Sequence, residues 1–179
     1  MQTILLIATI SAALLTGSGS LGSLTFHAAP ETEPASLETY DPAEESLAMI
    51  VNKANPIADL TWVELRRVFL GERVQWPNGA RITIAMRQPA PEREAILRIL
   101  CRMSEADFSR HLLHSSFTGE SSTPLRELSS GAAVRRFVVN VPGAIGYVRA
   151  SQLDDSVKVL KVEGRLPGEA GYKLRVADH

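Results

Sequence analysis

From Leu47 onward the apolar positions recur with two periods that alternate along the chain. Leu47, Met49 and Val51 share one face of a two-residue repeat, with Ala48 and Ile50 on the other, which predicts a strand covered on both sides. Thr61 with Glu64 three residues later forms a capping box, so a helix begins there, carries Trp62, Leu65 and Phe69 as its stripe, and ends at Gly71. Trp76-Pro77-Asn78-Gly79 predicts a turn feeding an alternating strand of Ile82, Ile84 and Met86. Pro91 suits the first turn of a second helix holding Ile96, Ile99, Leu100 and Met103, and Ser104 with Asp107 opens a third holding Phe108 and Leu112. A polar loop from Thr118 to Thr123, a helix around Ala132 to Val139 and strands at Ala144 to Val148 and Val157 to Val162 follow. This β-α-β-α-α-α-β-β order predicts an α/β fold, a small mixed β-sheet flanked by helices on both faces.

The residues before this pattern read differently. Ile4 to Leu15 is an uncharged apolar run followed by small residues, the core of a signal peptide and too short to span a bilayer; retention as an anchor is the alternative. The expected organisation is a signal peptide over 1–27, an acidic Pro-rich linker over 28–46 and one folded domain over 47–179. Gly17, Gly19 and Gly22 match G-x-G-x-x-G only formally, because no amphipathic helix follows them. The single cysteine, Cys101, is far from the leader and cannot form an internal disulfide; it reads as a small buried hydrophobe.

Charge sharpens this division. Six of the 20 acidic residues and none of the 19 basic ones precede residue 47, leaving 14 acids against 19 bases in the domain. A mildly basic domain suits an anionic ligand. The pairs Arg66-Arg67 and Arg135-Arg136 lack interleaved aromatic residues, so no nucleic-acid partner is expected.

Two stretches carry a resemblance. LTWVELRRVFLGERVQWPNG (60–79) resembles the opening of one lobe of the phosphate-binding proteins of ABC importers, and VVNVPGAIGYV (138–148) resembles the later helix-to-strand turn of that lobe. Phe117-Thr118-Gly119 recurs between them in that family. The resemblance implies one lobe of a type II periplasmic binding protein, and it implies architecture rather than activity, since these residues perform no chemistry. It also implies an anion site formed by an Arg at a strand end and a Ser-Gly-Thr opening the next helix. Arg87 is in the matching place, but Gln88-Pro89-Ala90-Pro91-Glu92 follows: the hydroxyls are lost, Pro91 lacks an N–H, and Glu92 places a negative charge where the phosphate would sit. Arg87 is therefore either a residual ligand and partner contact at an exposed lobe edge or one half of an ion pair with an acid such as Glu92.

Thr118 and Ser129-Ser130-Gly131, the latter opening a helix, are further candidate anion contacts; an ordinary N-cap is the alternative for the serines. Asp107, His111 and His114 share a helix face, a weak metal signal, and Ser115, Ser116, Ser121 and Ser122 lie nearby without a nucleophile turn. No catalytic residue, metal or cofactor is assigned. The expected function is a non-enzymatic binding or sensing module, periplasmic or secreted, with a weak phosphate or other small-anion site, a protein partner at the lobe edge, and no stable membrane span once the leader is removed. The alternatives are a working phosphate or oxyanion receptor of a transporter and a small metal-dependent hydrolase using His111 and His114. N-terminal sequencing of the mature protein is expected to find a start between about residues 21 and 30; an intact Met1 in the cytosolic fraction would remove the export reading.

Overall fold

The computed structural model describes residues 44–117 and 123–177. The expected leader, the G-x-G-x-x-G run, linker residues 28–43 and Thr118 to Ser122 lie outside the described residues. Strand β1 (Glu44–Val51) begins three residues inside the segment expected as linker, because Glu44, Glu45 and Ser46 pair with a strand from the other end of the domain. Its two faces feed two cores. Leu47, Met49 and Val51 join one, and Ala48 and Ile50 the other. After the short β2 (Asp59–Leu60) comes α1 (Trp62–Phe69). The Thr61 hydroxyl accepts the Glu64 N–H, and the Glu64 carboxylate accepts the Thr61 N–H at 3.0 Å, a reciprocal cap that satisfies two otherwise orphaned donors. Leu65, Val68 and Phe69 face the core, and the chain leaves the helix through Gly71 at φ +77°.

Strand β3 (Thr83–Arg87) is followed by α2 (Pro91–Ala95). The helix expected beyond it winds as a π-helix over Ile96–Cys101, burying Ile96, Leu97, Leu100 and Cys101 rather than the stripe Ile96, Ile99, Leu100 and Met103. The wider π-turn brings adjacent pairs of side chains onto the same face, so a 3.6-residue template selects the wrong partners. Arg102 ends it at φ +56°. Then come α3 (Glu105–Phe117), β4 (Leu125–Leu128), α4 (Gly131–Asn140) and β5 (Ala144–Arg149). The chain closes with β6 (Lys158–Val159), β7 (Lys161–Val162) and β8 (Arg175–Ala177). The single strand expected at 157–162 is thus two, broken at the fully buried Leu160.

The main sheet runs β4-β3-β5-β1-β6, with β8 also on β1, and β2 pairs with β7 separately. β3 is parallel to β4 and β5, whereas β1 is antiparallel to β5, β6 and β8. One face packs on α1, the π-helix and Phe108 of α3; the other is covered by Val134 and Val138 of α4. This is the mixed sheet with helices on both faces that the pattern implied.

The two resembling stretches meet at the start of the parallel strands. The indole N–H of the buried Trp76 donates to the carbonyl of Gly143 at 3.0 Å, and the Thr83 N–H reaches the same oxygen at 3.2 Å. A Cβ on Gly143 would lie 2.0 Å from the Arg81 carbonyl oxygen, a backbone atom that cannot swing away. Gly143→Ala is expected to cost at least about 2 kcal/mol by this overlap and to lower the melting temperature by about 8 °C. A thermal melt within about 1 °C of the wild type would show the junction to be pliable.

Candidate functional site at the carboxyl edge of the sheet

Because β3, β4 and β5 are parallel, their carboxyl ends share one edge, the place where open α/β sheets present ligand sites. Arg87 ends β3 opposite Leu128, the last residue of β4, and Arg149 ends β5. The antiparallel β1 brings Glu45 to the same edge, since Leu47 pairs with Arg149. Glu92 enters from the first turn of α2.

These four side chains form one network. Glu92 is 4 % exposed. One of its carboxylate oxygens accepts Arg87 Nη1 at 2.7 Å and the other accepts Arg149 Nε at 2.7 Å. Arg149 Nη1 also reaches Glu45 Oε2 at 3.2 Å, and Glu45 Oε1 accepts the Ser151 N–H at 2.7 Å. Burial alone would push the Glu92 carboxyl up; the hydrogen bond from Arg149, that from its own backbone N–H and the charges of Arg87 and Arg149 outweigh it and hold the group below the ordinary value. Glu45 is lowered in the same way, burial opposing and Ser151 and Arg149 prevailing. The hydrogen bond that Arg149 donates to Glu92 in turn holds its guanidinium more firmly protonated.

A second cluster braces the first. Arg93, 3 % exposed, grips Glu105 of α3 through Nε at 2.9 Å and Nη2 at 2.5 Å, and through Nη1 reaches Glu127 of β4 at 2.7 Å and the Arg87 carbonyl at 3.0 Å. The Tyr147 hydroxyl accepts the Arg87 N–H at 3.3 Å, and burial raises that phenol well above its ordinary range.

The structure brings Arg87 and Ser129-Ser130-Gly131 to the same edge but turns them to different partners. Arg87 faces Glu92, whereas the Ser130 hydroxyl accepts the Ala133 N–H at 3.1 Å as the N-cap of α4. The Gln152 carboxamide covers Gly131, where a Cβ would meet its oxygen at 2.1 Å, and Ser129 is exposed. Thr118 lies outside the described residues. His111 Nε2 is 2.9 Å from the Leu70 carbonyl at the end of α1, and at the start of α3 the Ser104 hydroxyl accepts the Asp107 N–H at 3.1 Å and donates to the Asp107 carboxylate at 2.7 Å. Among the described residues no three His, Cys, Asp or Glu side chains converge as a metal cluster would require. Cys101 is buried, and burial pushes its thiol up to about 12, too high for a nucleophile at neutral pH.

Sequence reasoning named Arg87 and Glu92 but missed Arg149 and Glu45. The signal for Arg149 was its place at the end of the apolar strand Ala144 to Val148, the counterpart of Arg87 after Met86. Glu45 was hidden in what read as a solvated acidic run.

No family model matches the chain. Solved structures do match it. A protein described as a phosphate ABC transporter substrate-binding protein from Clostridium perfringens, solved with bound phosphate, superposes with a TM-score of 0.61 at 24% identity over 75% of this chain and 54% of its own. An ABC-type phosphate transport receptor from Vibrio cholerae gives 0.61 at 21% identity over 75% and 55%. PstS from Borrelia burgdorferi gives 0.57 at 18% over 75% and 56%. The chain therefore has the fold of one lobe of a type II periplasmic binding protein, and it spans about half the length of the structures it matches.

The Glu92 network makes stability depend on pH in a defined direction. A carboxyl held below its ordinary value of 4.5 contributes fully above that pH, and its contribution is lost as pH falls through the lower folded value. Glu92→Gln is expected to destabilise the domain by about 2–4 kcal/mol at neutral pH, because two guanidinium groups lose their shared counter-charge. Between about pH 5 and 3 the gap to the wild type should narrow; a gap constant across that range in urea titrations would assign the loss to packing rather than charge.

Proposed function

We propose that this chain is a non-enzymatic binding or sensing module, working in the periplasm or outside the cell, whose oxyanion position is filled from within by Glu92. The observation that carries the reading is the Glu92 carboxylate itself: each oxygen takes one guanidinium, in the first turn of a helix, at the carboxyl edge of the sheet. Those are the groups that a bound oxyanion would draw on. Phosphate entering this place would have to displace a carboxylate that is already desolvated and paired, or share two cations with it against like-charge repulsion. The absence of the Ser-Gly-Thr that the resemblance implies removes the hydroxyl donors that could offset this.

Export is supported by the apolar run Ile4 to Leu15 and by the kinship in fold to transport receptors. Among the described residues no helix is long and apolar enough to cross a membrane. The matched structures are about twice as long, which keeps open a second reading: a phosphate receptor completed by another lobe. In either case the lobe edge bearing Arg87 and Gln88 is the surface offered to a partner.

Calorimetry separates the two readings. The wild type is expected to bind inorganic phosphate no tighter than about 1 mM, a total of about 4 kcal/mol. Glu92→Ser, which vacates the position and returns a hydroxyl, is expected to bind phosphate at least about tenfold more tightly, a gain of about 1.4 kcal/mol. Submicromolar phosphate binding by the wild type would establish the receptor reading instead.

A further inference from the structure

Away from the sheet edge, the outer face of α1 meets the end of the π-helix across an open pocket of about 440 Å³. Its walls are Trp62, Val63, Arg66 and Arg67 from α1, Leu70 at the C-cap of that helix, and Arg102 from beyond the π-helix. One acid, Glu72, stands at the rim, and its carboxylate is 3.9 Å from Arg67 with both side chains exposed. Arg66 and Arg102 have no ion pair among the described residues, and the Nε of Arg66 is buried without a hydrogen-bond partner. Lys173 adds a further cation, its Nζ lying 6.0 Å from the Trp62 ring centre. Val63 is 59 % exposed.

We propose that this pocket binds an organic dianion with a flat apolar body, a phosphate monoester or a dicarboxylate, and that Arg102 is one of its ligands. Three guanidinium groups line this one space, and Glu72 supplies only one negative charge to it. Planar guanidinium forks match carboxylate and phosphate oxygens. The Trp62 ring, Val63 and Leu70 provide a wall that an inorganic anion alone would leave uncovered and that a ring on the ligand would cover. Arg102 carries the independent argument. It holds φ +56° at the cap of the π-helix, with its N–H donating to the Leu97 carbonyl. Glycine fits there without strain, whereas a residue with a Cβ is uncommon. A non-glycine residue in the left-handed region whose side chain also lines a cationic pocket points to a role for that side chain.

The experiment is an NMR titration of the full chain with phenyl phosphate and with benzene-1,2-dicarboxylate, using inorganic phosphate as the control. Amide signals of 62–70 and 102 should shift saturably with the two organic anions, at least about tenfold more tightly than with inorganic phosphate. Arg102→Gly should weaken both by about tenfold or more while its melting temperature equals or exceeds that of the wild type, since the left-handed strain is relieved. Arg66→Gln should weaken binding without touching that strain. No saturable shift with either anion up to about 10 mM, equal affinity for inorganic phosphate, or unchanged binding by Arg102→Gly would each overturn the assignment.

Discussion

The buried carboxylate of Glu92 is the constraint around which the carboxyl edge of the sheet is organised. A group 4 % exposed keeps its charge only when its surroundings replace water on both oxygens. Arg87 and Arg149 do so from the ends of two adjacent parallel strands, and Arg149 recruits Glu45 from a third. The network therefore ties β1, β3, β5 and α2 at one point. Removing any member strands a charge in a poorly solvated place, and the cost of a stranded charge exceeds what the intact pair contributes. Arg93 repeats the device beside it, joining α2 to α3 and β4.

Much of the fold was legible because its signals are local. The capping box of Thr61 and Glu64, the φ-positive exit at Gly71 and the turn closed by Gly79 each depend on residues within a few positions of one another. The helices on both sheet faces followed from β1, whose two apolar faces left no side for solvent. What escaped is non-local or lacks periodicity. β4 is four residues, Leu125–Leu128, with Arg126 and Glu127 exposed at the sheet edge, so it shows no run of apolar alternation. β2 and β8 are two and three residues long and exist only through their pairing. The π-helix breaks the period that was used to find it.

The site was half legible for the same reason. Glu92 and Arg87 are five positions apart, and a charge in a helix's first turn next to a strand-end arginine can be paired on paper. Arg149 is 57 positions from Glu92, and Glu45 is 104 from Arg149. Only the sheet order, with β1 antiparallel beside β5, brings them together. The junction of Trp76 with Gly143 makes the complementary point. Two stretches that resemble one family separately prove to be a donor and its acceptor, so their joint presence reflects one physical contact.

A carboxylate on the same chain differs from a dissolved anion in one respect that geometry alone does not express. Glu92 is held beside Arg87 by a short tether, so it competes for the guanidinium at an effective concentration set by the chain, commonly in the millimolar range or above for flexible tethers and higher when, as here, the tether is folded. Solute that fluctuates well below that level leaves the occupancy of the edge unchanged. The charge pattern at this edge is then a constant of the fold, independent of whether the surrounding medium is rich or poor in anions.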